Sequence, residues 1–330
     1  MCIRDRSQGH AVYASDTSFV TLTNSGTEVA RLQLTHSNPV MKNNENRFLT
    51  YGIGSSSYEI SSFDETLYSG NAENKIYTGD VASNGTYCLV TEDNGYLTTL
   101  YAYSKNNNRI YKYSFSEYYI TSVAINKDGS GCVATGVSSD KGSAVTGVYV
   151  LDFSQEKPVS TYKISGDSVL DCKYLTSDTA VLVGSQASYI VKKGEKNYKT
   201  VSYEDKTLSN YCFNTDTSTY TMALSRSGDG RSVALISYNS NGEAQYTINT
   251  EHKADSLSVY KGTVAILDGN VVYGYNQNGD LLYSTNSGTG SKKIVLASDY
   301  TAYILSVNQI RFIDLDSVSS DDTAQTSKQE

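Results

Sequence analysis

Residues 119–165 hold four short β-type runs, at 120–126, 132–137, 147–153 and 159–164, and most of the chain repeats that pattern. Turn formers separate the runs. Asp128-Gly129 closes the first hairpin, and residues 155–158, ending in Pro158, close the last. One four-stranded meander of this size cannot hide both faces of its sheet. It needs copies of itself to pack against.

The copies lie on both sides. A shift of 44 residues lays the unit at 76–116 on this one, with Asn84-Gly85 on Asp128-Gly129 and Cys88 on Cys132. Further units follow at 169–204, 208–250 and 257–288, and Cys172 and Cys212 hold the same place in the first strands of two of them. The last unit has three strands: KKIVLAS, TAYILSV and QIRFIDL. Upstream, a unit spans 39–70, and the chain from Ala11 supplies three strands with no first strand before them.

Units of roughly 40 residues with four strands each predict an all-β fold, a β-propeller of four-stranded antiparallel blades. Eight blades are expected, with N-terminal strands missing: two strands upstream of Ala11 would complete both the first and the last unit. Seven is the alternative, if the N-terminal strands complete the last unit instead. Composition agrees. Tyrosine is abundant (29), proline rare (2) and tryptophan absent; Tyr and Thr favour strands, and Asn and Gly the turns between them.

Three segments are expected. MCIRDRS, residues 1–7, is similar to a translated sequencing adapter and is excluded from fold reasoning. Residues 8–316 form a single propeller domain. Residues 317–330 (SVSSDDTAQTSKQE) lack the apolar periodicity of a strand and are a polar, disordered tail. No apolar run approaches the roughly 18 residues of a membrane span.

A second signal recurs before the last strand of a unit: TNSGTE (23–28), YNSNGE (238–243), YNQNGD (275–280) and, more loosely, YSKNNNR (103–109). Asn-Gly tolerates the positive φ of a tight hairpin. The spacing of a calcium loop, with its trailing bidentate Glu, is absent, so these are turns and no metal site is assigned.

The chemistry-bearing residues point to no reaction. The net charge is −8, and an acidic chain without a basic patch is a poor partner for nucleic acid or an anionic membrane. Five cysteines occur without a CxxC, so neither a zinc site nor a redox motif is indicated, and those in strands read as small buried side chains. His10, His36 and His252 adjoin no nucleophile motif, and His36, in THSNPV, is expected to be a loop or packing histidine. Paired carboxylates such as Asp64-Glu65 fall in turns. No catalytic residue and no cofactor is assigned. Within the first strands, Thr78 and Asp80 align with Ser122 and Ala124, and then with Asp171 and Lys173. Asp80, Asp171 and Lys173 are candidates for a channel-facing ligand site, weighed against a wet channel that simply tolerates polar residues.

The segments ASDTS (14–18), HSNPV (36–40), YCLVTE (87–92), VAINKDG (123–129) and VYVLDF (148–153) carry a resemblance. In these the chain resembles an uncharacterised propeller family of Firmicutes, domain of unknown function 5711, with WD40-like and PQQ-like architecture. The VAINKDG turn is similar to the SPDG turns of WD40-like propellers. The resemblance implies a propeller outside the cell, held at the membrane by one N-terminal helix that is not present in this sequence. Tyr113 in YKYS stands where the family pattern leads one to expect Trp. The resemblance carries over no catalytic residues.

The expected function is therefore that of a non-enzymatic, extracytoplasmic scaffold, a monomer that binds a protein or a cell-envelope component. The alternative is a hydrolase or lyase acting at the channel mouth, since propellers often hold such sites. A third reading is a spacer or sensor domain.

Overall fold

Every regular element among the described residues is a β-strand. The structure is a computed structural model, and it describes residues 2–7, 10–226, 231–307 and 309–315, the first of these stretches by its backbone alone. The tail expected at 317–330 lies outside them.

Blade 1 comprises β1 (Cys2–Ser7), β2 (His10–Ala14), β3 (Ser18–Thr23) and β4 (Glu28–Gln33). Blade 2 comprises β5 (Pro39–Asn44), β6 (Arg47–Gly52), β7 (Ser57–Ser61) and β8 (Thr66–Asn71). Blade 3 comprises β9 (Ile76–Val81), β10 (Tyr87–Thr91), β11 (Thr98–Tyr103) and β12 (Arg109–Phe115). Blade 4 comprises β13 (Tyr119–Ile125), β14 (Gly131–Asp140), β15 (Ser143–Asp152) and β16 (Ser160–Ser165). Blade 5 comprises β17 (Val169–Tyr174), β18 (Thr179–Gly184), β19 (Ala187–Lys192) and β20 (Lys199–Ser202). Blade 6 comprises β21 (Thr207–Asn214), β22 (Thr219–Ser225), β23 (Val233–Asn239) and β24 (Ala244–Thr250). Blade 7 comprises β25 (Ser256–Tyr260), β26 (Thr263–Asp268), β27 (Val271–Tyr275) and β28 (Leu281–Asn286). Blade 8 has β29 (Ser291–Leu296), β30 (Thr301–Ser306) and β31 (Ile310–Asp314).

Each sheet is a meander in chain order, and the fold is an eight-bladed β-propeller. The three-stranded last blade is as the sequence predicts. The first blade is not. β1 pairs antiparallel with β2, Ile3 opposite Tyr13 and Arg4 opposite Val12, so blade 1 has the first strand that the sequence reading withheld. The likeness of residues 1–7 to a sequencing adapter does not prevent this pairing. Pairing depends only on a backbone within reach of the open edge of β2.

The chain forms two compact units. One contains Met1–Thr23, Thr27–Asp205 and Asn239–Glu243; the other contains Asn24–Gly26, Lys206–Tyr238 and Ala244–Glu330. In both, the apolar core lies between neighbouring sheets. In the first unit, Cys88, Val90 and Leu100 of blade 3 pack against Ile120, Val123 and Cys132 of blade 4. Val133, Val148 and Val150 of blade 4 then meet Cys172, Leu182 and Val191 of blade 5. In the second unit, Ala265, Leu267 and Val272 of blade 7 meet Ile294, Ala302 and Ile304 of blade 8. Central strands such as β10 and β18 are consequently buried on both faces, while the fourth strands β4 and β8 are half exposed.

The Asn-rich segments are hairpin turns. Asn239 Oδ1 accepts from the backbone N–H of Asn241 and Glu243, and Asn276 Oδ1 accepts from Asn278 and Asp280. The acidic side chains of Glu243 and Asp280 accept from the same two Asn amides. Gly242 and Gly279 sit at φ 68° and 89°, and in the looser copy Asn107 takes that position at φ 61°.

Candidate functional site

Inner-strand polar residues of the first unit converge on one cluster. Lys42 of β5 places Nζ 3.4 Å from Asp171 Oδ1 of β17. The same Oδ1 accepts from Ser122 Oγ of β13 at 3.2 Å and from the Cys172 N–H at 2.9 Å. Lys173 Nζ donates to the Asn43 carbonyl at 3.1 Å. Asp171 and Lys173 thus both reach β5, in the sheet of blade 2, from the sheet of blade 5. Asp80 is placed differently. It is 1 % exposed, and its Oδ2 accepts the Ile125 N–H of the next blade at 3.0 Å, while Oδ1 has no hydrogen-bond partner. Thr78, Ser122 and Ala124 are buried.

The contact from Asp80 to Ile125 has counterparts. In the second unit, Ser256 and Ser258 of β25 accept the N–H groups of Ile294 and Leu296 on β29. A polar side chain on one inner strand thus caps backbone on the next, which satisfies a donor that the meander alone leaves open. No single unit of the sequence displays this role, because donor and acceptor lie about one repeat apart.

Three cysteines, Cys88, Cys132 and Cys172, are buried with free thiols, and Cys212 is half-buried. Burial pushes the Cys88 and Cys132 thiols well above their usual range. Burial, and after it the Asp171 carboxylate, raises Cys172 to about 12. The three are protonated at neutral pH and pack as small side chains.

His36 is 2 % exposed and bonds Ser57 Oγ through Nδ1 at 3.0 Å. Its Nε2 lies 3.7 Å from Glu59 Oε1, beyond hydrogen-bond reach. Burial lowers the His36 pKa and raises that of Glu59, so the surroundings favour the neutral form of each. The sequence suggests a loop or packing histidine; it does not show these partners, which lie one strand pair away. A serine, a histidine and an acid meet here, with the histidine side chain buried.

Exposed apolar side chains mark a second candidate surface. In each antiparallel sheet, the start of the first strand shares an end with the second-to-third connection. Those ends lie side by side in the first unit. Tyr77 of β9 and Tyr119 of β13 are 5.3 Å apart, and the Gly54 N–H and Ser55 carbonyl bond the backbone of Ile76. At this end Ile53 (65 % exposed), Tyr96, Leu97, Tyr119 (38 %) and Leu170 (52 %) face solvent. At the opposite end of this unit, Val29, Leu67 and Ile110 are the exposed large apolar side chains among the described residues.

Blade 4 extends this surface. β14 and β15 are ten residues each, whereas the other strands run from four to eight. The pairs Ser138–Val145, Ser139–Ala144 and Asp140–Ser143 carry the hairpin past its neighbours, and Lys141 and Gly142 turn it at φ 50° and 83°. Residues 138–144 carry no large apolar side chain, and the sequence pattern ends the second run at 137 and starts the third at 147. At the foot of the hairpin is a hollow of about 200 Å³ lined by Glu117, Tyr118, Ser138, Ser139, Asp140, Val145 and Lys163.

Comparison with solved structures places the fold among propellers. The chain is similar to the C-terminal WD40 domain of Sif2 (15 % identity, TM-score 0.59, covering 84 % of this chain and 80 % of that one). It is also similar to a eukaryotic initiation factor (10 %, 0.62, 96 % and 88 %). A third similar structure is Chaetomium thermophilum Sqt1 bound to the N-terminus of the ribosomal protein L10 (9 %, 0.57, 93 % and 93 %). At such identities the likeness concerns the fold alone. No curated protein matches the chain in sequence. Residues 5–315 match a family of unknown function, and the chain belongs to that family, DUF5711.

Proposed function

We propose that the chain is a non-enzymatic propeller that binds a protein or cell-envelope component through the loop face of its first unit. One observation carries this reading: five large apolar side chains, from Ile53 to Leu170, are exposed at the end of the sheets from which the long hairpin extends. Large exposed apolar groups collected in one place mark interaction surfaces, whereas scattered ones do not. Tyrosine and apolar anchors within a polar rim are what protein interfaces use. A structural neighbour, Sqt1, is bound to the N-terminus of a ribosomal protein, so the fold is compatible with holding a protein segment. The net charge of −8 supports a partner other than nucleic acid. An extracytoplasmic, membrane-anchored setting, which the family resemblance supports, completes the proposal.

The alternative, a hydrolase or lyase at the channel mouth, needs carboxylates free to exchange protons with a substrate. Asp171 is tied to Lys42 and Ser122, and Asp80 is committed to the Ile125 N–H, so the binding reading is preferred. The test is retention of envelope proteins from the encoding cells on the immobilised chain. A specific protein should be retained at physiological salt, lost with Leu170→Asp and kept with Ile110→Asp. Equal retention by both variants would place the binding elsewhere and remove the proposal's support.

A further inference from the structure

We infer that the hollow at the foot of the blade 4 hairpin receives a lysine or arginine side chain of a bound protein. The inference deepens the binding reading above and rests on it for the partner, although the hollow can be tested by itself.

The hollow is built around Tyr118. Gly136 and Gly147 face each other across β14 and β15, and they leave a trough in the sheet. The Tyr118 ring fills that trough. A Cβ added to Gly147 would lie 2.4 Å from the ring, and one added to Gly136 would lie 3.0 Å from the Tyr118 Cβ. Tyr149 closes against the ring in an edge-on contact with centroids 6.1 Å apart. The aromatic wall is therefore fixed before anything binds. Val145 is buried beside it.

Charge at the rim is unbalanced. Asp140 is neutralised by Lys163 at 3.0 Å. Glu117, the other carboxylate of the lining, makes no ion pair among the described residues. Its field reaches inward: Tyr149 is pushed up to about 12, first by burial and next by the Glu117 charge.

Size narrows the occupant. Ligand pockets for small molecules run from about 300 to 1,000 Å³. At about 200 Å³ this hollow suits one side chain better than a metabolite. A cation with an apolar stem meets all three features, because its stem covers Val145, its head lies against the tyrosine ring and its charge faces Glu117. The hollow opens on the same end of the sheets as Tyr119 and Leu170, so a protein seated there can reach it.

The test titrates the full chain with N-acetyl-arginine methylamide and, separately, with its uncharged citrulline isostere. Amide signals of residues 117–119 and 138–139 are followed by NMR. The arginine probe should shift them saturably and the citrulline probe should not. Glu117→Gln should weaken binding about two- to fivefold, the effect expected of one exposed charge pair. Lys163→Met, which frees Asp140, should strengthen it. Equal response to both probes, no saturable shift, or an unchanged affinity for Glu117→Gln would overturn the inference. If a partner is retained through Leu170 while Glu117→Gln changes nothing, this inference fails and the binding reading stands. If the arginine probe binds but no partner is ever retained, the reverse holds.

Discussion

Tyrosine does in this chain what larger apolar residues do elsewhere, and its hydroxyl decides what each buried ring contributes. Tyr51, Tyr87, Tyr203, Tyr220, Tyr283 and Tyr303 are among the largest fully buried side chains. Tyr203 donates to the Gly184 carbonyl at 3.0 Å. The Tyr283 hydroxyl is buried with no hydrogen-bond partner, and its ring occupies the space that the absent side chain of Gly274 leaves. Tyr203→Phe should therefore lower stability by about 1 kcal/mol, the net worth of one such bond. Tyr283→Phe should leave stability unchanged or raise it by up to about 1 kcal/mol, since it removes an unsatisfied buried group. Urea titrations with unchanged slopes measure both; the opposite order would contradict the packing described. At this scale the sequence was only partly legible. It singled out Asp80, Asp171 and Lys173 from their strand positions. It did not show that Lys42 and Asn43 meet the last two, because those partners lie 129 and 130 residues away.

Among the elements, the strands and turns were legible because local chemistry makes them. Asn-Gly and Asp-Gly pairs, alternating apolar residues and the shift of 44 between units located them without tertiary information. What escaped was set by neighbours. β1 forms because β2 offers an edge, and the polar tip of the blade 4 hairpin stays extended because its strands pair to the turn. Asp167 shows the same dependence. It is buried between β16 and β17, and its carboxylate accepts from the N–H groups of Ser168, Ser185, Gln186 and Ala187. The hydroxyls of Ser185 and Tyr189 add two further bonds at 2.7 and 2.8 Å. One side chain therefore holds the β18–β19 connection. Asp167→Ala leaves several buried donors unsatisfied and should cost about 2–4 kcal/mol. Amide exchange at residues 185–187 should accelerate by more than in the flanking strands. A change within about 0.5 kcal/mol, the range of ordinary surface substitutions, would show that the connection is held by other means.

For the whole molecule, repetition made the architecture readable and the function opaque. Eight similar units report packing, since each must cover its neighbour's sheet, and residues chosen for packing carry little information about a partner. The features that bear on function are the departures from the repeat: the long hairpin, the Gly136–Gly147 trough and the exposed residues from Ile53 to Leu170. The most direct test of the account places a photo-crosslinking amino acid at single positions of the full chain, in envelope preparations of the cells that encode it. Positions 119 and 170 sample the loop face, and positions 67 and 110 sample the opposite end, on blades 2 and 3 of the same unit. The account predicts a discrete protein adduct from 119 and 170 and none from 67 and 110. Adducts from 67 and 110 alone, or equally from all four, would contradict it.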